Sequence, residues 1–298
     1  MTAAARPSGA TRVARDYYDS ADADGFYATI WGGEDIHIGL YPGADGPFGE
    51  RIEGDDSIFA ASRRTVARMA QLLSEPGERT RVLDIGSGYG GAARFLARAF
   101  GCRVVALNLS EVENARARAL DAEQGLDDRI EVVAGSFEAI PYPDASFDAV
   151  WSQDAILHSG DRARVLAEVA RVLRPGGQFV FTDPMQADAC PAGVLQPILD
   201  RIHLESLGSP GFYREVAARV GLQDLGFIEL TPHLIAHYAR VLEETDARGD
   251  DLRKAVSAAY IERMKKGLRH WVEGGKRGHL AWGIFHFRKP SQPAAKGA

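Results

Sequence analysis

From residue 81 onward, short apolar runs of strand length alternate with blocks in which apolar positions recur at helical spacing. In RVLDI, the residues Val82, Leu83 and Ile85 give the β-branched, apolar character of a strand buried on both faces. It runs into GSGYGG, and a helix over about residues 92–100 follows. The strand RVVALNLS, a helix over about residues 111–124 and the strands IEVVAGS and FDAVWSQ come next. The helix RARVLAEVARVL, stopped by RPGG, and a fifth strand GQFVFTDP complete the alternation. Such a succession predicts a doubly wound, mostly parallel α/β sheet with its ligands at the carboxyl ends of the strands.

The flanks depart from this rhythm. Phe59, Val66, Met69, Leu72 and Leu73 recur at helical spacing behind Ser57, a residue suited to an N-cap. Ahead of them, residues 14–41 carry Tyr17, Tyr18, Phe26, Tyr27 and Trp31 among several acids, a composition unlike an ordinary loop. They read either as an amphipathic helix whose rings only pack or as a lid over the ligand mouth. After Asp183, LQPILDRIHLE and FYREVAARV predict helices, QDLGFIELT a strand, and about 40 helical residues end near Trp271, an inserted cap. HLAWGIFHFRK is expected to close the sheet as an antiparallel strand. The expected organisation is a disordered leader over 1–14, a lid and helix over 15–75 and a ligand-binding core over 76–185. A cap with one core strand over 186–275, a final strand over 276–289 and a disordered tail over 290–298 follow.

Candidate chemistry sits at the strand ends. Gly86, Gly88 and Gly91 have the G-x-G-x-x-G spacing of dinucleotide folds, which does not separate NAD from S-adenosylmethionine. Asp84, two residues before the first glycine, favours the second, because that ligand carries an ammonium group for a carboxylate to hold. Asn108 lies about 22 residues past Gly86, where an acid usually holds the ribose hydroxyls. An amide accepts from one hydroxyl and donates to the other, so the role survives with a weaker signal; a turn-forming Asn is the plain alternative. With Ser87, Leu109, Ser136, Phe137 and Gln153, these residues form the expected cofactor set. Asp154 and Asp183 also stand where a strand hands over to a loop.

Composition narrows the class without choosing a reaction. Hydrophobic residues make up 45% and charged residues 26% of 298, and the net charge of -6 disfavours nucleic acid or an anionic membrane as partner. Two cysteines, Cys102 and Cys190, make no disulfide framework, and no h-region or long apolar run is present, so a reduced cytoplasmic protein is expected. With no CxxC, HExxH or clustered His/Cys spacing, no metal site is expected.

The order of Asp84 to Gly90, Asn108, IPYPDASFDAV and LRPGGQFV resembles the class I S-adenosylmethionine-dependent methyltransferases. The resemblance implies a Rossmann-like, seven-stranded sheet and S-adenosylmethionine as methyl donor. YATIWGGEDIHIGLY, ALNLSEVEN, VWSQDAILHSG, TDPMQAD, PILDRIHLESLGSP and YIERMKKGLRHWVEGG look like the sarcosine/dimethylglycine N-methyltransferases, over roughly residues 15–288. This closer likeness implies successive methylation of sarcosine and dimethylglycine to glycine betaine, an osmoprotectant. A more distant likeness, to phosphoethanolamine methyltransferases, rests on Tyr27, Ile30-Trp31-Gly32, Ser152, Asp154 and His158; the basic residues that bind phosphate in those enzymes have no clear match.

These resemblances suggest His158, or Tyr27 bonded to it, as receiver of the amine proton, and Asp154 as the group that orients the amine. His158 also suits a helix cap or the core. Trp31 either holds the methylated ammonium on its ring or packs in the core. The substrate carboxylate calls for an Arg, with Arg63, Arg64 and Arg201 as candidates and His203 and Tyr213 as neutral alternatives. The rival readings are a methyltransferase of another amine or natural-product acceptor, a non-catalytic S-adenosylmethionine-binding regulator, and an NAD-binding reductase.

Overall fold

The computed structural model of the chain describes residues 19–32, 34–44 and 54–291. The expectations for Tyr17 and Tyr18, the leader and the last seven residues of the tail lie outside them. Its centre is a seven-stranded sheet in the order β3-β2-β1-β4-β5-β9-β7. β1 (Arg81–Ile85), β2 (Arg103–Asn108), β3 (Ile130–Ala134), β4 (Phe147–Gln153) and β5 (Leu173–Thr182) pair in parallel. Three helices connect them: α3 (Gly91–Phe100), α4 (Glu111–Glu123) and α5 (Arg162–Val172). The order reverses beside β1, so the ends of β1, β2 and β4 flank the crevice where such sheets bind ligands.

Two expectations at the carboxyl-terminal half are corrected. RPGG does end α5, but it belongs to β5: Leu173 pairs with Phe147, and the register slips before Ala149 meets Gln178. HLAWGIFHFRK joins the sheet antiparallel, as expected, but not as one strand. It splits into β8 (Leu280–Ala281), paired with β6 (Met185–Gln186), and β9 (Gly283–Arg288), which is inserted antiparallel between β5 and β7 (Gln223–Glu229). Ile284, Phe285 and Phe287 are fully buried, and an edge position would have left one flank of that apolar strand uncovered. Phe285 stacks on Phe181 at 4.8 Å, and Phe181 on Phe179 at 4.6 Å, so a ladder of rings crosses the strands.

The cap joins the first helix of the described chain to helices from its last third. α1 (Ala21–Trp31), with Ser20 as its N-cap, buries Phe26 and Trp31 in one apolar cluster with Val241, Tyr260, Met264 and Leu268. These partners come from α8 (Thr231–Ala247) and α10 (Ala258–Lys276), joined by the short α9 (Gly249–Leu252). α6 (Gln196–Ile202) and α7 (Pro210–Arg219) fill the stretch between β6 and β7. No helix among the described residues is long and apolar enough to cross a membrane.

Between α1 and α2 (Ile58–Ala70), residues 37–41 run as an irregular buried strap. Buried backbone polar groups need partners, and here side chains supply most of them. Ile38 N–H donates to Asp154 Oδ2 (2.8 Å), Gly39 N–H to His237 Nδ1 (3.2 Å) and Tyr41 N–H to His233 Nδ1 (3.0 Å). Ser62 and Thr65 donate to the carbonyls of His37 and Ile38, each at 2.8 Å, and Arg64 Nε to that of Leu40 at 2.7 Å. Leu40 N–H reaches the Ala61 carbonyl at 3.0 Å.

The strap presses on α2 so closely that a Cβ on Gly39 would lie 2.6 Å from the Ala61 carbonyl carbon and 2.8 Å from Ser62 N. Both are backbone atoms with little freedom to yield. Gly39→Ala is expected to destabilise the protein by about 1–3 kcal/mol, read from the midpoint of a urea titration.

Candidate active site

Two cavities meet at the carboxyl ends of the strands. The first is lined by the glycine loop after β1, by Asn108 and Leu109 after β2, by Ser136 and Phe137 after β3, and by Gln153 to Ala155 after β4. Ile36 and His37 wall it from the lid side. The loop is held back by Gly86 N–H and Ser87 N–H, which donate to the Leu107 carbonyl at 2.8 and 3.3 Å. Gly86 has φ 72°, and a Cβ there would strike that of Ala155.

Behind this lining sits Asp84. It is buried, one carboxylate oxygen has no hydrogen-bond partner, and burial, with Asp35 nearby, pushes its pKa up to about 8. Ser87 Oγ and the side-chain amide nitrogen of Gln153 are also buried without a partner. Unmet polar groups beside a glycine cradle fit a ligand with an amino-acid end, as S-adenosylmethionine has. Asn108, expected to hold ribose hydroxyls, is not alone at the end of β2. Its amide donates to Glu113 Oε2 (2.8 Å), and Glu113 lines the same cavity with its pKa pushed up to about 7 by burial, against the Asn108 bond.

Glu113 is a residue that sequence reasoning missed. Its N–H donates to Ser110 Oγ (3.1 Å) at the start of α4, so Ser-x-x-Glu reads as a helix-capping pattern, and nothing in that pattern says the carboxylate turns to a ligand.

The second cavity lies between strap and cap. Tyr27, Trp31, Tyr238 and Trp271 contribute four aromatic walls, and Arg201 and His237 line it too. Ile36, Asp154 and His158 line both cavities and so mark their junction. Asp154 has φ 50°, a left-handed backbone in the turn after β4. Its oxygens accept from Ile38 N–H and from Trp282 Nε1 (2.8 Å each), and burial raises its pKa, with the charge of His37 and these bonds opposing. His158 closes the short turn Ile156–His158. Burial and then the charge of Arg162 lower its pKa to about 4.

Burial weighs against the base role expected of His158. A base that loses its proton near pH 4 is a poor receiver for an ammonium proton, whereas the same enclosure raises the proton affinity of Asp154.

The structure thus brings Tyr27, Trp31, Asp154, His158 and Arg201 together and leaves other candidates elsewhere. Arg63 pairs with Asp35 (2.9 Å) and donates to the Gly91 carbonyl, so its charge is spent between lid and loop. Arg64 is committed to the Leu40 carbonyl. Tyr213 is fully buried between Phe181 and Phe285 and donates to Asp183 Oδ2 (2.6 Å), and His203 is exposed at the end of α6. Asp183 accepts from Leu157 N–H (2.9 Å), so it braces the turn that carries His158, and it lines neither cavity. No group of three or more His, Cys, Asp or Glu able to hold a metal occurs among the described residues.

Comparison with known proteins places the chain among methyltransferases. A family model described as a methyltransferase domain matches residues 83–181. The sarcosine/dimethylglycine N-methyltransferase of Halorhodospira halochloris is 57% identical over 280 residues, 94% of this chain and 97% of that protein. The protein of the same name from Aphanothece halophytica is 52% identical over 279 residues, again 94% and 97%. A crystal structure from Galdieria sulphuraria, assigned by name as a sarcosine dimethylglycine methyltransferase, superposes with TM-score 0.84 at 43% identity, covering 93% of this chain and 100% of the other.

Asp84 makes cofactor binding and stability oppose each other. Its carboxyl keeps a proton to about pH 8 in the folded protein but releases it near 3.8 when unfolded, so the ligand-free fold loses stability as pH rises between those values. Asp84→Asn removes this cost. At pH 8 the variant is expected to melt higher without ligand, while binding S-adenosylhomocysteine at least about tenfold more weakly by calorimetry, through loss of the carboxylate–ammonium attraction.

Proposed function

We propose, for a chain that belongs to the sarcosine/dimethylglycine N-methyltransferase family, that the cavity between strap and cap receives the amine and the cavity over the glycine loop receives the methyl donor. The protein is an S-adenosylmethionine-dependent N-methyltransferase that converts sarcosine to dimethylglycine and dimethylglycine to glycine betaine. The observation that carries the site assignment is the meeting of an aromatic-walled cavity containing Arg201 with the donor cavity at Asp154 and His158.

The residues divide the work by charge. When bound, S-adenosylmethionine supplies an electrophilic methyl group on a sulfonium. Asp84 faces its ammonium end, and Glu113 with Asn108 holds the ribose hydroxyls. Tyr27, Trp31, Tyr238 and Trp271 offer ring faces to an increasingly methylated ammonium, each contact worth about 0.5–2 kcal/mol according to desolvation. Arg201 takes the substrate carboxylate, for which a planar guanidinium is well shaped.

The amine must lose its proton before it attacks. An amine of pKa about 10 is roughly a thousandth neutral at pH 7, a handicap of about 4 kcal/mol. Enclosure and the nearby sulfonium lower that pKa. Asp154 orients the ammonium and, through the second lone pairs of its oxygens, takes up its proton and so frees the nitrogen lone pair for attack; neutral His158 borders the amine at the junction of the cavities and keeps water from it.

Incubating the purified protein with S-adenosylmethionine and, separately, glycine, sarcosine or dimethylglycine, then weighing the products, tests the reading. Dimethylglycine and glycine betaine are expected, and methylation of neither secondary nor tertiary substrate would overturn it. Because His158 is neutral well above its pKa of about 4, the pH profile of kcat should lack an inflection near 6.5 from this residue. His158→Ala is expected to lower kcat without changing the profile's shape, whereas Asp154→Asn flattens it. Trp271→Ala should raise KM for dimethylglycine about two- to thirtyfold, with little change in S-adenosylhomocysteine affinity.

A further inference from the structure

His237 carries a proton whose position the fold dictates. The Gly39 backbone N–H reaches its Nδ1 at 3.2 Å, and a backbone N–H can only donate, so Nδ1 is the bare nitrogen. The Tyr41 hydroxyl, 2.8 Å from the same atom, then donates to it as well. Burial, with His37 acting in the same direction, lowers the pKa of the ring to about 3, so the imidazole is neutral and its one N–H is at Nε2. His237 is 1% exposed, its Nε2 has no hydrogen-bond partner, and the residue lines the acceptor cavity. His233, one helical turn earlier, docks the strap by the same bond to Tyr41 N–H yet lines neither cavity. Docking the strap therefore does not require the ring to face the acceptor.

We infer that His237 Nε2–H is a second anchor for the substrate carboxylate, acting beside Arg201 and selecting amines that carry a carboxylate. This rests on the reading of the second cavity as the amine site. The polarity of the cavity agrees with it. Asp154 and His158 stand at the junction with the donor cavity, where the amine must be. Arg201 and His237 line the acceptor cavity and not the donor cavity, so a zwitterion lies with its amine toward the junction and its carboxylate toward these two donors. A bare N–H donor offers nothing to an ammonium, which is itself a donor, but satisfies a carboxylate oxygen without adding a second full charge.

The two amide isosteres of His separate its two nitrogens. His237→Asn keeps an acceptor near the Nδ1 position for Gly39 and Tyr41 but ends before Nε2; His237→Gln keeps an N–H donor near Nε2. With His237→Asn, KM for dimethylglycine should rise about ten- to hundredfold, the size expected for losing a hydrogen bond to a charged group, with S-adenosylhomocysteine affinity within about twofold. His237→Gln should lie between it and the wild type. Under saturating S-adenosylhomocysteine, calorimetry should show weaker glycine betaine binding to His237→Asn and unchanged choline binding. In the wild-type protein, the Nε2–H proton resonance of His237 should move on adding glycine betaine and stay in place on adding choline, a test that needs no variant to fold. Unchanged KM in a His237→Asn protein that still binds S-adenosylhomocysteine, equal weakening of choline, or an unmoved resonance would overturn the inference. If the wild type methylates neither sarcosine nor dimethylglycine, the reading of the site falls and the inference with it.

Discussion

An irregular piece of backbone buried between a sheet and a helical cap has no ladder of its own, and this requirement governs the acceptor half of the molecule. Residues 37–41 satisfy their N–H and carbonyl groups largely with side chains: Asp154, His233, His237, Ser62, Thr65 and Arg64. Those side chains come from the end of β4, from α8 and from α2, so one strap ties the methyl-donor core to the cap. Ile36 beside it walls both cavities. Each anchor has a second consequence. Asp154 lines both cavities while holding Ile38, and His237 keeps its other nitrogen for the acceptor cavity because its first is engaged by Gly39.

Burial sorts several ionisable groups in and behind the two cavities by sign. The acids keep protons: Asp84 to about pH 8, Glu113 and Asp183 to about 7. The histidines give theirs up early, His158 and His233 near 4 and His237 near 3. Both shifts reduce charge, as low dielectric demands. Charge brought in by ligands therefore meets groups able to ionise in response, and a cationic donor and a zwitterionic acceptor each find a partner that is nearly neutral beforehand.

Much of this was legible from residue order. The strand and helix alternation, the glycine loop, Asp84 and the junction residues Asp154 and His158 all follow from local pattern, because the strand ends of a parallel sheet converge on one crevice. The unread parts share a cause: they depend on contacts between segments far apart in the chain. Arg63 and Tyr213 had suitable chemistry, but Asp35 and Asp183 engage them. Tyr238, Trp271 and His237 lie on helices whose spacing marks an apolar face without saying which ring borders a cavity. The place of β9 between β5 and β7 is a matter of topology that its own residues do not reveal, and Glu113 was concealed by the cap that also explains it.

The sequence separations in the strap have a meaning for how the enzyme is assembled and how it loosens. Its bonds to Asp154, His233 and His237 close loops of 116, 192 and 198 residues. Apart from Ile36 and His37, the donor cavity is built from neighbouring strand ends and the turns after them within residues 86–158. Closing the longest loops costs the most chain entropy and rewards it only once both ends are in place. The methyl-donor half is thus a module of comparatively local contacts, and the acceptor half is stitched across almost the whole polypeptide, the seam where a subglobal opening would begin.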